Sequence, residues 1–133
     1  MTLYVDSSAL LKRYLDEHDS ELSEQLLAAD PVLVTSRLTE VEVRRNLARH
    51  LDGDDVDRAR HQLSIDLDAM ALVGLDAATA GEAARVAEST GCRSLDALHI
   101  GSALRAGPAT VFCTFDVRQA RAAREVGLVV VGS

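Results

Sequence analysis

Four acids in this chain sit where hydrophobic runs end or helices begin: Asp6 after LYV, Glu42 in a helix-like segment, Asp96 opening another helix, and Asp116 just after VFCTF. Carboxylates at such positions are placed to gather in one cleft, where they cannot all stay ionised without a cation. Hard divalent ions such as magnesium take oxygen ligands and bridge carboxylates to phosphate. Metal-assisted phosphodiester chemistry is therefore the expectation.

The elements that must carry these acids follow from periodicity and punctuation. Residues 2–5 form a short apolar run, after which Ser7 or Ser8 offers a hydroxyl cap to a helix with Ala9, Leu10, Leu11, Tyr14 and Leu15 on its apolar positions. A helix is expected over 19–29, stopped by Pro31 before the strand 32–36. Helices over 37–51 and 55–69 follow, separated by a loop at Gly53, and lead to a strand at 70–74. The alanine-rich 76–89 reads as helix up to Gly91, and Ser94 can cap the next helix from Leu95 to Arg105, which Gly107 and Pro108 end. A strand at 110–114, a helix at 116–126 stopped by Gly127, and a strand at 128–131 complete the chain. Strands alternating with helices, with unbroken Val and Leu runs as strands, predict a parallel α/β sheet covered on both faces.

Composition narrows the classes further. A chain of 133 residues is the size of one domain, so 1–133 is expected to fold as a single unit. With no Trp and two each of Tyr and Phe, platforms for stacking bases are scarce. The net charge of -7 argues against a protein that wraps nucleic acid by bulk electrostatics, but not against an enzyme that holds phosphate through metal ions. Basic residues are arginines except Lys12; a planar fork suits phosphate, and a GC-rich genome would give the same bias. No apolar run spans a bilayer and no leader pattern opens the chain, so a cytoplasmic protein is expected. Cys92 and Cys113 form neither a CxxC pair nor a disulfide ladder, and are expected reduced and free of zinc.

In open parallel sheets ligands bind beyond the carboxyl ends of the strands, and Asp6 and Asp116 both fall there. Either alone would be an ordinary helix cap; two at equivalent strand ends line the same sheet edge. Asp96 also stands at a helix start, with His99 one turn on. A single His on an apolar helix is more commonly a structural residue with a satisfied hydrogen bond, and His99 is read so. On the next helix Glu40 shares a side with Val43, Leu47 and Leu51, while Glu42 lies among Leu38, Arg45 and Arg49. Periodicity leans to Glu40 as the buried acid.

Four segments, YVDSSALLKRYLDE, SRLTEVEVRRNLAR, SLDALHIGSAL and TFDVRQARAAREVGL, resemble in order and spacing the signature blocks of the PIN-domain ribonucleases, and most closely the VapC toxins of bacterial VapBC toxin–antitoxin pairs. The resemblance spans residue 4 to about 128. It implies a PIN-like three-layer sandwich with a central parallel sheet of four to five strands flanked by helices. It also implies a Mg2+-dependent endoribonuclease, Mn2+ being an alternative metal, with Asp6, Glu42, Asp96 and Asp116 as catalytic acids and Asp6, Asp96 and Asp116 as metal ligands. The family's glutamate stands six positions after the serine that ends the second strand, here Ser36, which selects Glu42 over Glu40. Ser8 and Thr114 match hydroxyl positions that support the ligands, and Thr114 stands where some relatives carry a further acid. Arg45 and Arg49 beside Glu42 are candidates for RNA phosphate contacts. A VapB-type antitoxin with a basic and hydrophobic tail, and homodimerisation, are the partners so implied.

Other classes fit less well. A haloacid-dehalogenase type of phosphoryl transfer needs a second acid where Ser8 stands, and a receiver-like protein shares only acids at strand ends. A non-catalytic RNA-binding module would have lost the acids. A dinucleotide-binding domain needs a glycine-rich first turn, and DSSAL is not one.

Overall fold

The computed structural model describes residues 2–29 and 32–133. Five strands, β1 (Thr2–Val5), β2 (Val32–Ser36), β3 (Ala71–Val73), β4 (Thr110–Cys113) and β5 (Val129–Val131), form one sheet in the order β3-β2-β1-β4-β5. Every neighbouring pair is parallel, with Tyr4 opposite Val34 on one side and Phe112 on the other. The chain winds outward from β1 through β2 to β3, then restarts at β4 on the other side. That reversal leaves a crevice at the carboxyl ends of β1 and β4, where the splayed connections leave room for a ligand.

Helices α1 (Ser7–Leu11), α2 (Ser20–Ala28), α3 (Arg37–His50) and α4 (Gly53–Asp68) precede α5 (Ala77–Thr90), α6 (Ser94–Arg105) and α7 (Val117–Glu125). Alternation along β1 divides the core between them. Leu3 and Val5 pack with Leu10, Leu27, Val43, Leu47, Leu63 and Leu67 from α1–α4. Tyr4 points the other way, into Val86, Ile100, Phe112 and Ala123 from α5–α7 and β4. The result is the three-layer α/β sandwich, with five strands. Tyr4 and Phe112 stack 5.4 Å apart and within 4° of parallel, so the aromatic core of this face lies directly under β1 and β4.

Local differences from the sequence-based expectation concern helix starts. Asp6, not Ser7 or Ser8, caps α1 by accepting from Ala9 N, and the helix proper ends at Leu11, with Tyr14 and Leu15 held by turn hydrogen bonds to the carbonyl of Leu11. A carboxylate outcompetes a hydroxyl at a cap because it also meets the helix dipole. Helix α6 begins at Ser94 itself, with Arg93 in the capping position and no side-chain cap. The stop assigned to Pro31 lies outside the described residues. Among the described residues, no helix is long and apolar enough to cross a membrane. Cys113 is buried in β4, and burial pushes its thiol up to about 12, which makes it a poor nucleophile or metal ligand at neutral pH.

Candidate active site

β1 ends at Val5, and the backbone N of Asp6 still donates to the carbonyl of Cys113 at 3.1 Å, so the Asp6 side chain emerges in the crevice between β1 and β4. It is 2% exposed. Its Oδ1 accepts from Ser8 Oγ at 2.7 Å and Ala9 N at 2.9 Å, and its Oδ2 accepts from Thr114 Oγ1 at 2.6 Å. Burial raises the pKa of this carboxyl, with the charge of His99 and the three hydrogen bonds acting against the rise. None of the ion pairs among the described residues uses Asp6, Asp96 or Asp116.

Ser36 ends β2 and caps α3, accepting from Leu38 N at 3.1 Å. Glu42 is therefore in the second turn of α3, and it faces the crevice. Its Oε1 accepts from Ser7 Oγ at 2.6 Å and from His99 Nε2 at 2.5 Å. A carboxylate only accepts, so Nε2 carries a proton toward Glu42, while Nδ1 shares a hydrogen bond with the Tyr4 hydroxyl at 2.9 Å. The chain Tyr4–His99–Glu42 thus runs from the core beneath the sheet to the cleft. Burial alone would raise the Glu42 carboxyl, but its contacts with His99 and Ser7 outweigh burial and hold it below its ordinary value.

Asp96 lies in the first turn of α6, half-buried, and its pKa is raised by burial and then by the negative charge of Asp116. Asp116 follows β4 and caps α7, its Oδ1 accepting from Arg118 N at 2.9 Å and Gln119 N at 3.1 Å. All four acids line one cleft of about 220 Å³, with Ser7, Ser8, Asn46, His99 and Gln119 around them. Thr114 is fully buried below it and, besides holding Asp6, accepts from Asp116 N at 3.1 Å, tying two of the acids together.

Glu40 is not among the residues lining the cleft. It turns toward Arg37, 3.5 Å away, on the side of α3 that faces α4, so the wheel's preference for it is corrected. The reason is geometric: α3 buries Val43 and Leu47 in one core, while the stripe beside them, Glu42 and Asn46, meets the cleft. Arg45 and Arg49 are exposed on α3 and do not line the cleft. Sequence reasoning missed Ser7, Asn46 and Gln119, and read His99 as structural, whereas its ring does both jobs, 3% exposed in the core and bonded to Glu42. The position of His99 three residues after Asp96 was the available signal.

The donor set suits a hard cation. Its acids offer only oxygens, Asp6 is a buried carboxylate without a cationic side chain paired to it, and Asp96 and Asp116 repel one another. Gln119, which also lines the cleft, keeps its Nε2 buried without a hydrogen-bond partner among the described residues. Among the described residues no three acidic, imidazole or thiol groups converge into a ready-made cage.

The PIN domain family matches residues 3–125. Ribonuclease VapC46 of Mycobacterium tuberculosis is 31% identical to this chain, covering 97% of it and 95% of its own length. Among solved structures, FitAcB from Neisseria gonorrhoeae superposes with a TM-score of 0.77 at 17% identity, over 96% of this chain and 95% of that one. A toxin–antitoxin complex from Klebsiella pneumoniae gives a TM-score of 0.70 at 14% identity, over 90% and 89%. A family match across nearly the whole chain, a VapC ribonuclease relative at this identity, and a crevice with acids from β1, α3, α6 and β4 agree: the chain belongs to the PIN-domain family, among the VapC ribonucleases.

Proposed function

We propose that this protein is a Mg2+-dependent endoribonuclease, Mn2+ being able to replace Mg2+, and the toxin of a type II toxin–antitoxin pair. The observation that carries the proposal is the single cleft in which Asp6, Glu42, Asp96 and Asp116 meet. Asp6, Asp96 and Asp116 would hold the cation, with Glu42 acting directly or through water. A divalent ion there supplies charge neutralisation of a phosphodiester and lowers the pKa of a water for in-line attack.

The chain's own groups set the stage for that attack. Ser8 and Thr114 fix the Asp6 carboxylate from both sides, so its orientation is set before any ligand arrives. Glu42, held ionised by His99 and Ser7, accepts a hydrogen bond from a water and orients it. Arg45 and Arg49 stand on the exposed face of α3 and take RNA phosphates on that side.

The partner we propose is a short VapB-type antitoxin whose basic tail enters the acidic cleft. The net charge of -7 and the exposed Leu95 and Val117, next to Asp96 and Asp116, suit basic and apolar side chains respectively. The solved toxin–antitoxin complex from Klebsiella pneumoniae with this fold supports the same reading. We further propose that residues 1–133 work as one domain, in the cytoplasm, and that two copies pair through the early helices.

The test is RNA cleavage by the purified protein with Mg2+, Mn2+ or chelator. Asp6→Ala and Asp96→Ala proteins that retain the wild-type circular dichroism spectrum are expected to be inactive. Full cleavage in chelator would overturn the metal-dependent reading. Mapping the cut sites on total RNA, with Asp6→Ala as control, identifies the substrate.

A further inference from the structure

Beside the acid cleft a second hollow of about 300 Å³ opens between the segment leading into α6 and the outer face of α7. Arg93, Arg118 and Arg121 line it, together with Asp96 and Glu125. Asp96 is a wall of both hollows, so the two are contiguous. In a chain of net charge -7, three guanidiniums against two carboxylates make this a local reversal of sign.

These arginines are not consumed by structure. Among the described residues Arg93 and Arg118 enter no ion pair, whereas Arg13, Arg37, Arg58, Arg60, Arg85 and Arg105 each do. Arg121 reaches Glu125 at 3.4 Å with its side chain 84% exposed, and such a contact holds the guanidinium weakly. Another arginine-bearing hollow, with Arg37, Arg44 and Arg60 between α3 and α4, shares no lining residue with the acid cleft. Contiguity therefore singles out the α7 side.

We propose that Arg93, Arg118 and Arg121 form a phosphate-binding subsite that holds the RNA backbone next to the bond being cut. The proposal rests on the ribonuclease reading and extends it: the strand would run from the acids, over Asp96, into the arginine hollow. Guanidinium forks bind phosphate oxygens in pairs and position a strand without reading its bases. With so few aromatic side chains in the chain, affinity has to come from phosphate contacts rather than stacking, and these are salt-dependent.

The test separates binding from cutting. In an Asp6→Asn background, binding of a fluorescent single-stranded RNA oligomer is measured by anisotropy over a range of salt, for Arg93→Glu, Arg118→Glu, Arg121→Glu and, as a distant control on α4, Arg58→Glu. Each of the first three is expected to weaken binding about tenfold and to reduce the salt slope by about one, with Arg58→Glu unchanged. In protein with Asp6 intact, Arg118→Glu and Arg121→Glu should raise KM while kcat stays within about twofold, the signature of binding lost equally from ground and transition states. All four positions are exposed, so folding is not at stake. Unchanged affinity and slope in the three variants overturn the proposal, and so does preference of the same arginines for an acidic peptide over RNA. If the arginines bind RNA as expected but the intact protein cuts none with either metal, the nuclease reading fails and the phosphate subsite stands.

Discussion

Oε1 of Glu42 takes two donors, Ser7 and His99, and this is what keeps a half-buried carboxylate ionised beside three other acids. Glu42→Gln removes the charge but keeps the shape, so loss of cleavage with an unchanged melting temperature would locate the effect in the chemistry. Glu40→Gln, on the far side of the same helix, should retain most activity; the opposite ranking would mean that Glu40 is the functional acid. Thr114 makes a second prediction. Its hydroxyl donates to Asp6 Oδ2 and works to lower the pKa of that buried carboxyl. Thr114→Val deletes the donor with little change in volume, so the Asp6 pKa climbs further and more of it is protonated at any given pH. Cleavage should fall about 10–100-fold, as for other losses of ligand-supporting hydrogen bonds, and the acid limb of the pH–rate profile should move to higher pH. A profile that keeps its position would show that Thr114 does not tune Asp6.

Two glycines in neighbouring helices show how closely the elements are fitted. A Cβ on Gly101 of α6 would stand 2.8 Å from the backbone N of Ala83 in α5, a contact that backbone cannot relieve by rotating a side chain. Gly101→Ala should therefore cost about 1–3 kcal/mol and lower the melting temperature by several degrees. Gly81 in α5 meets nothing within 4 Å, and there the same substitution should gain up to about 1 kcal/mol through helix propensity. Equal effects at the two sites would contradict this packing. None of it was legible in the sequence, because the spacing of α5 and α6 is a tertiary quantity. The strands were legible, since apolar runs such as LYV, buried at the centre of the sheet, and LVVV, at its edge, stand out between the helical segments. The acids at strand ends were visible for the same reason. The orientation of α3 was not: a helical wheel ranks stripes by hydrophobicity, and the stripe bearing Glu42 and Asn46 faces a polar cleft that only the assembled sheet creates. Ser7 was read as a helix cap and not as a cleft residue because the resemblance pointed to the hydroxyl one residue later, while the cap of α1 went to Asp6 itself.

The molecule as a whole concentrates uncompensated negative charge at the switch point of its sheet, and that has a thermodynamic consequence. Asp6 has a folded pKa raised above its ordinary 3.8, chiefly by burial, and Asp96 is raised by burial and by Asp116. A carboxyl of this kind lends stability only while it is protonated: the contribution is complete below the unfolded value and is lost as pH rises through the folded one. At neutral pH these two groups therefore oppose folding, whereas Glu42, whose pKa is lowered, favours folding there and ceases to do so as pH falls through its folded value. A cation in the cleft offsets the penalty by binding the folded form alone. In chelator near pH 7, Asp6→Asn protein should melt at a higher temperature than the parent, and acidification should narrow the gap as the parent's Asp6 takes up its proton. Adding Mg2+ should raise the melting temperature of the parent and raise that of Asp6→Asn much less. A parent that is already more stable than Asp6→Asn in chelator, with no response to Mg2+, would mean that Ser8, Thr114 and the α1 dipole satisfy the Asp6 carboxylate by themselves. The cleft would then have no electrostatic need of a metal.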